Sequence, residues 1–89
     1  MKPIIERNYA SIKKRGKITP HTSHVDFYHK LSEELQEVKN EISQPIDLNR
    51  LGVELADVCL VCFNWMHHYG LNPEKFIKEK IVINEKRND

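Results

Sequence analysis

The sequence predicts an all-α fold: an antiparallel helical hairpin with flanking helices, completing a four-helix-bundle-like core by oligomerisation. Three observations carry that expectation. Tyr28, Leu31, Leu35, Val38 and Ile42 recur at alternating spacings of three and four, the period of one helix face. From Leu51 to Met66 nearly every residue is apolar or small on all faces, the pattern of a buried helix. No segment alternates as a strand does, and Ile81-Val82-Ile83 is too short to change the class.

The elements follow in order from their breakers. Residues 4–15 are expected to form a short helix ended by Gly16. Residues 18–22 read as a loop, because Pro20 cannot continue a helix. Ser23 is an N-cap with Asp26 in the first turn, opening a helix that runs to about Ile42. The connection 43–46 is short, which favours an antiparallel neighbour. Asp47 caps the next helix, expected to reach Tyr69 with Gly70 at C′. Asn72-Pro73-Glu74 then supplies a cap, a proline at the first helical position and an early acid for a last helix. Two parts result: a basic N-terminal arm or short helix over 1–17, and a helical domain over 18–89.

Length and charge narrow the function. A chain of 89 residues is one domain with a small core, so a partner subunit or a metal is expected to add stability. The net charge of +1 gives no general signal for a nucleic acid polymer. Residues 1–17 carry Lys2, Arg7, Lys13, Lys14, Arg15 and Lys17 against Glu6 alone, so a local positive end is available for a phosphate-bearing ligand. Two cysteines are too few for a disulfide scaffold, no leader-like segment opens the chain, and the apolar run Val58–Phe63 is too short to span a bilayer. A cytoplasmic protein with no membrane role is expected.

The informative residues are acids in apolar surroundings. Glu54 and Asp57 interrupt the apolar helix three residues apart, on one face. A buried carboxylate must be protonated, paired or bound to metal. Arg50 is the one cation near the start of that stretch. The preceding helix adds Glu34 and Glu37, also three apart, at the flank of its apolar stripe; Glu41 continues that edge and Glu33 points further out. An antiparallel pairing would set the two acidic pairs face to face. A hard divalent cation with oxygen ligands resolves the repulsion, and Mg²⁺ (or Mn²⁺) suits a site that leaves positions open for phosphate oxygens. The competing reading is a solvated acidic face, or acids paired with Arg7, Arg15 or Arg50.

Glu34-Leu-Gln-Glu37 followed by Glu54-Leu-Ala-Asp57 resembles the E-x-x-E…E-x-x-D signature of the MazG-like all-α nucleoside triphosphate pyrophosphohydrolases. Lys30 to Val38 is similar to the family's first metal helix and Gly52 to Val58 to its second, while Lys80, Asn84 and Arg87 fit a K-x-x-x-N-x-x-R pattern near the family's C-terminus. The likeness spans about residues 18–87; residues 1–17 match no part of it. It implies hydrolysis of the α–β bond of a (deoxy)nucleoside triphosphate to monophosphate and pyrophosphate. Metal on Glu34, Glu37, Glu54 and Asp57 would activate water. Lys30, Lys80, Asn84 and Arg87 would contact the nucleotide, and the subunits would form a dimer or tetramer whose sites draw on more than one chain. Arg15 and Lys17, just before the loop into the acidic helix, are expected to close over the phosphates. Lys80, Asn84 and Arg87 share one helical face by spacing.

Other signals read as structural. Cys59 and Cys62 have no second pair and are expected to pack in the core. His67 and His68 suit a helix C-terminus. His21, His24 and His29 flank the loop before the acidic helix and are weaker candidates for substrate contact. Trp65 reads as a core or subunit-interface residue; Phe27 and Tyr28 are better placed for base stacking. Two alternatives stand beside the pyrophosphohydrolase. One is a non-catalytic helical dimerisation or regulatory module. The other, within the same fold, is a phosphoribosyl-ATP pyrophosphohydrolase, disfavoured because Val58–Phe63 lacks an aromatic–histidine pair.

Overall fold

A computed structural model of the chain describes residues 1–88 and contains four helices and no strand among them. They are α1 (Lys2–Lys14), α2 (His24–Ile42), α3 (Leu48–His68) and α4 (Pro73–Glu85). The all-α class and the element order therefore hold. α1 begins two residues earlier than its apolar pattern implied, because Pro3 fits the first turn.

Local chemistry explains each boundary. Ser23 and Asp26 form a full capping box: the Ser23 hydroxyl accepts from the Asp26 amide at 3.2 Å, and the Asp26 carboxylate accepts from the Ser23 amide at 2.8 Å. Those backbone and side-chain hydrogen bonds hold the Asp26 carboxyl below its usual range. Asp47 and Asn72 cap α3 and α4 through side-chain oxygens. Gly16 and Gly70 close α1 and α3 at φ of 73° and 74°, the left-handed region where a side chain would strain the backbone. Beyond each glycine an amide returns to an earlier carbonyl, Lys17 to Ile12 and Leu71 to Met66.

The α2–α3 hairpin is antiparallel. At one end Trp65 Nε1 donates to His24 Nδ1 at 2.9 Å; at the other Arg50 Nε lies 3.8 Å from Glu41. α1 packs along α3, burying Ile5. Asn8 Nδ2 donates to Asn64 Oδ1 at 3.1 Å, and the Tyr9 hydroxyl lies 2.8 Å from His68 Nδ1. His68 Nε2 donates to the Thr22 carbonyl at 3.2 Å, so Nδ1 of a neutral ring is the acceptor for Tyr9. Phe27 stacks on Trp65 with centroids 5.9 Å apart, and Phe27, Ile18 and Val61 form the small centre.

The burial departs from the sequence pattern. Tyr28, Leu35 and Ile42 of the α2 stripe are exposed, and only Val61 and Asn64 of α3 are buried. Cys59 is exposed and not in a core, while Cys62 is half-buried. Phe27 is buried within the chain, so its ring serves the centre. The physical reason is shared: α1 packs on one side of the hairpin, and among the described residues no element covers the other. The radius of gyration, 14.9 Å, exceeds the roughly 12 Å of a compact chain of this length.

Candidate metal centre

The hairpin register brings three of the four expected carboxylates together. One oxygen each of Glu34, Glu54 and Asp57 lies within 4.8 Å of the others, and all three residues are half-buried. Glu34 sits on the α2 line that faces α3, seven residues after buried Phe27. Glu54 and Asp57 occupy the inward face of α3, one turn before Val61. Three carboxylate oxygens at that separation are a donor set of the kind that hard divalent cations take.

Glu37 stands apart from the three: it is exposed. Its charge nevertheless acts on Glu54, next after that of Asp57, while Glu41, seven residues after Glu34, is half-buried. Glu41 lies on the same edge of α2 as Glu34. Its Oε2 is buried without a hydrogen-bond partner among the described residues, and the Arg50 guanidinium at 3.8 Å is too distant to supply one. Arg50 pairs with Glu41 and Asp47, also at 3.8 Å, leaving Glu54 and Asp57 to be answered by something else.

Electrostatics register the crowding. The Glu54 carboxyl is pushed above its usual range, first by loss of solvation and then by the charges of Asp57, Glu37, Glu34 and Glu41. Lys30 Nζ lies 3.1 Å from Glu34 and 3.6 Å from Glu33, and the hydrogen bond to Glu34 raises its pKa. One lysine thus offsets part of the charge of the acidic group.

Lys30 also joins the cluster to a cleft of about 420 Å³ between α1, the 15–23 loop, α2 and α3. Arg15, Lys17 and His29 line this cleft together with Ile12, Ile18 and Phe27, and the acids Asp26 and Glu33 lie on it as well. Two residues expected to contact phosphate, Arg15 and Lys17, therefore share a cleft with a third, Lys30. His24 is engaged instead with Trp65 and stacks on Tyr69 at 3.9 Å, and Tyr28 is exposed beside His29.

The C-terminal set is placed differently. Lys80 and Asn84 lie on α4, where burial ends at half-buried Ile77 and every described residue from 78 onward is exposed. Arg87 does not extend their helical face, because α4 stops at Glu85 and Lys86 is its C-cap. The sequence past Glu85 supplies no apolar contact to continue the helix. α4 leaves from the end of α3 at Gly70, about 20 Å along the axis from Asp57.

No helix of the described residues is long and apolar enough to cross a membrane. Comparison with protein-family models, with curated proteins and with solved structures finds no match for this chain.

Proposed function

We propose that this protein is a divalent-metal-dependent nucleotide pyrophosphohydrolase that cleaves the α–β bond of a (deoxy)nucleoside triphosphate. Water adds to phosphorus, and monophosphate and pyrophosphate leave. The observation that carries the reading is the convergence of Glu34, Glu54 and Asp57 from two helices, with Lys30 paired to Glu34 at the edge. Mutual repulsion among half-buried carboxylates is what a bound cation relieves, and Glu54 already holds its proton more tightly than usual. Mg²⁺ or Mn²⁺ there would neutralise phosphate oxygens and lower the pKa of a bound water.

The chain's own residues supply the rest of the chemistry. Phosphoryl transfer needs positioning and charge neutralisation above covalent catalysis. Arg15, Lys17 and Lys30 around one cleft give cations for the phosphates, and Ile12, Ile18 and Phe27 give apolar walls for a nucleoside. Glu37 lends negative charge near the metal from outside the three-residue set. Lys80, Asn84 and Arg87 serve this reading from a neighbouring copy, since α4 leads away from the carboxylates of its own chain. The likeness of E-x-x-E…E-x-x-D to the MazG-like enzymes supports the same reaction.

A panel of nucleoside triphosphates with Mg²⁺, read by pyrophosphate release, tests the proposal. Turnover that vanishes in Glu54→Gln is expected; no release from any nucleotide with Mg²⁺ or Mn²⁺ would favour the non-catalytic helical module. In the active protein, Arg15→Ala and Lys17→Ala are expected to raise KM several-fold with smaller effects on kcat, the signature of uniform phosphate binding. Unchanged KM in both variants would remove these residues from the site.

A further inference from the structure

On the pyrophosphohydrolase reading, on which this rests, we propose that Asn64 reads the base of the nucleotide. Its side-chain amide, held by Asn8, donates to a ring carbonyl in the cleft and selects oxo-bearing bases over their amino-bearing counterparts.

Asn64 is the one buried polar side chain among the described residues, at 3% exposure. A buried polar group in an apolar helix calls for a reason. A carboxamide carries two N–H donors and an acceptor oxygen, and burial makes each unmet one costly. The oxygen is met: Asn8 Nδ2 of α1 donates to Asn64 Oδ1 at 3.1 Å. Asn64 Nδ2 has no partner among the described residues. It is not sealed off either, because Glu41 Oε2 is the one side-chain polar atom there that is both enclosed and unpartnered. Asn64 lines the cleft of about 420 Å³, so the opening left to its amide is the cleft.

The bond from Asn8 also sets which group faces the ligand. With its oxygen engaged, Asn64 turns donors and no acceptor toward the cleft. The paired donor–acceptor contact by which an asparagine takes adenine is thereby closed. A base presenting a carbonyl completes the hydrogen bonding of the amide. One presenting an amino group sets donor against donor and leaves both unmet.

Position fits the role. Seven residues separate Asn64 from Asp57, so both lie on one face of α3, about 10 Å apart along the axis. That separation suits a nucleotide with its phosphates at the carboxylates and its base at Asn64. Buried Ile18 and Phe27 line the same cleft and give apolar surfaces for the ring. Other polar groups on the cleft are committed elsewhere: Asp26 to the capping box, Glu33 to Lys30, and the Thr22 hydroxyl to the Thr19 amide. His29 is exposed, so water competes for its ring nitrogens.

Matched nucleotides isolate one edge of the base: dUTP against dCTP, and dITP against dATP. Within each pair an oxo group replaces an amino group on the same ring. Turnover with Mg²⁺ is compared as kcat/KM, and binding of the corresponding monophosphates is measured by calorimetry without metal. In the pair whose ring the cleft accepts, the oxo member is expected to be favoured roughly tenfold or more in both readouts. Asn64→Asp keeps the acceptor for Asn8 and removes the donors, and is expected to bring the ratio to one or below. Asn8→Ala lets the Asn64 amide turn over and is expected to lower the ratio several-fold; it keeps the test sharp if Asn64→Asp fails to fold. A residue that only tethers α1 would change stability in these variants and leave the ratio alone. Equal values within both pairs, a preference for the amino member, or a ratio unmoved by the folded variants overturns the base assignment even where pyrophosphate is released. Selective binding of the oxo monophosphate, with no pyrophosphate released from any nucleotide, supports the base assignment and overturns the hydrolysis. Neither binding nor release overturns both.

Discussion

Glu54 concentrates the tension in this molecule. It faces α2 beside Asp57 and Glu34, loses solvent, and feels the charges of four other acids. Its folded-state pKa is raised, so protonation favours the fold: the stability it contributes is present below the ordinary value of 4.5 and is lost as pH rises through the raised one. Without metal, acidifying from neutrality toward pH 5 is therefore expected to raise the melting temperature of the parent relative to Glu54→Gln, which lacks that titration. The comparison also subtracts every other titration that the two proteins share. A parent that loses stability relative to Glu54→Gln over that interval would show Glu54 to be paired, not crowded. The meeting of Glu54 and Asp57 on one face of α3 was legible from sequence because two acids three residues apart interrupt an apolar helix. The exposure of Glu37 and the burial of Glu41 Oε2 were not, because E-x-x-E spacing leaves open which of two adjacent faces meets the partner helix.

Helix boundaries were the most legible feature, since capping chemistry is local. Ser23, Asp47, Asn72, Gly16 and Gly70 all act where their residue types implied. Ser23→Ala removes half of the α2 capping box and is expected to cost about 1 kcal/mol, or roughly 4–8 °C in melting temperature for a domain of this size. An unchanged melting temperature would mean that the start of α2 is held by Phe27 and the His24–Trp65 contact alone. The docking of α1 was much less legible. Its composition reads as a solvated basic arm, yet Asn8 and Tyr9 reach Asn64 and His68 of α3. Such polar pairings between distant segments leave no periodic trace. Tyr9→Phe deletes one hydrogen bond and leaves the His68 acceptor without its donor, with an expected loss of about 1–2 kcal/mol in urea unfolding. A loss near zero would show that α1 is held by Ile5 and its apolar neighbours instead.

The assembled chain is under-covered rather than under-folded. Among the described residues four helices form with caps in place, but only Ile5, Ile18, Phe27 and Val61 are buried hydrophobics. The α2 stripe and the α3 run were read from sequence as core, and periodicity alone cannot distinguish a core made by one chain from a core made by two. The same under-coverage leaves α4 projecting with Lys80 and Asn84 exposed. Function in this reading depends on two features that meet in the hairpin: carboxylates on its inward line and cations around the adjoining cleft. Calorimetric titration of Mn²⁺ into the parent and into Glu54→Gln and Asp57→Asn tests that arrangement most directly. Saturable binding to the parent is expected, weakened at least tenfold in each variant, with both variants melting at or above the parent when metal is absent. A parent that binds no Mn²⁺, with variants that melt below it, would contradict the metal centre and make these acids structural.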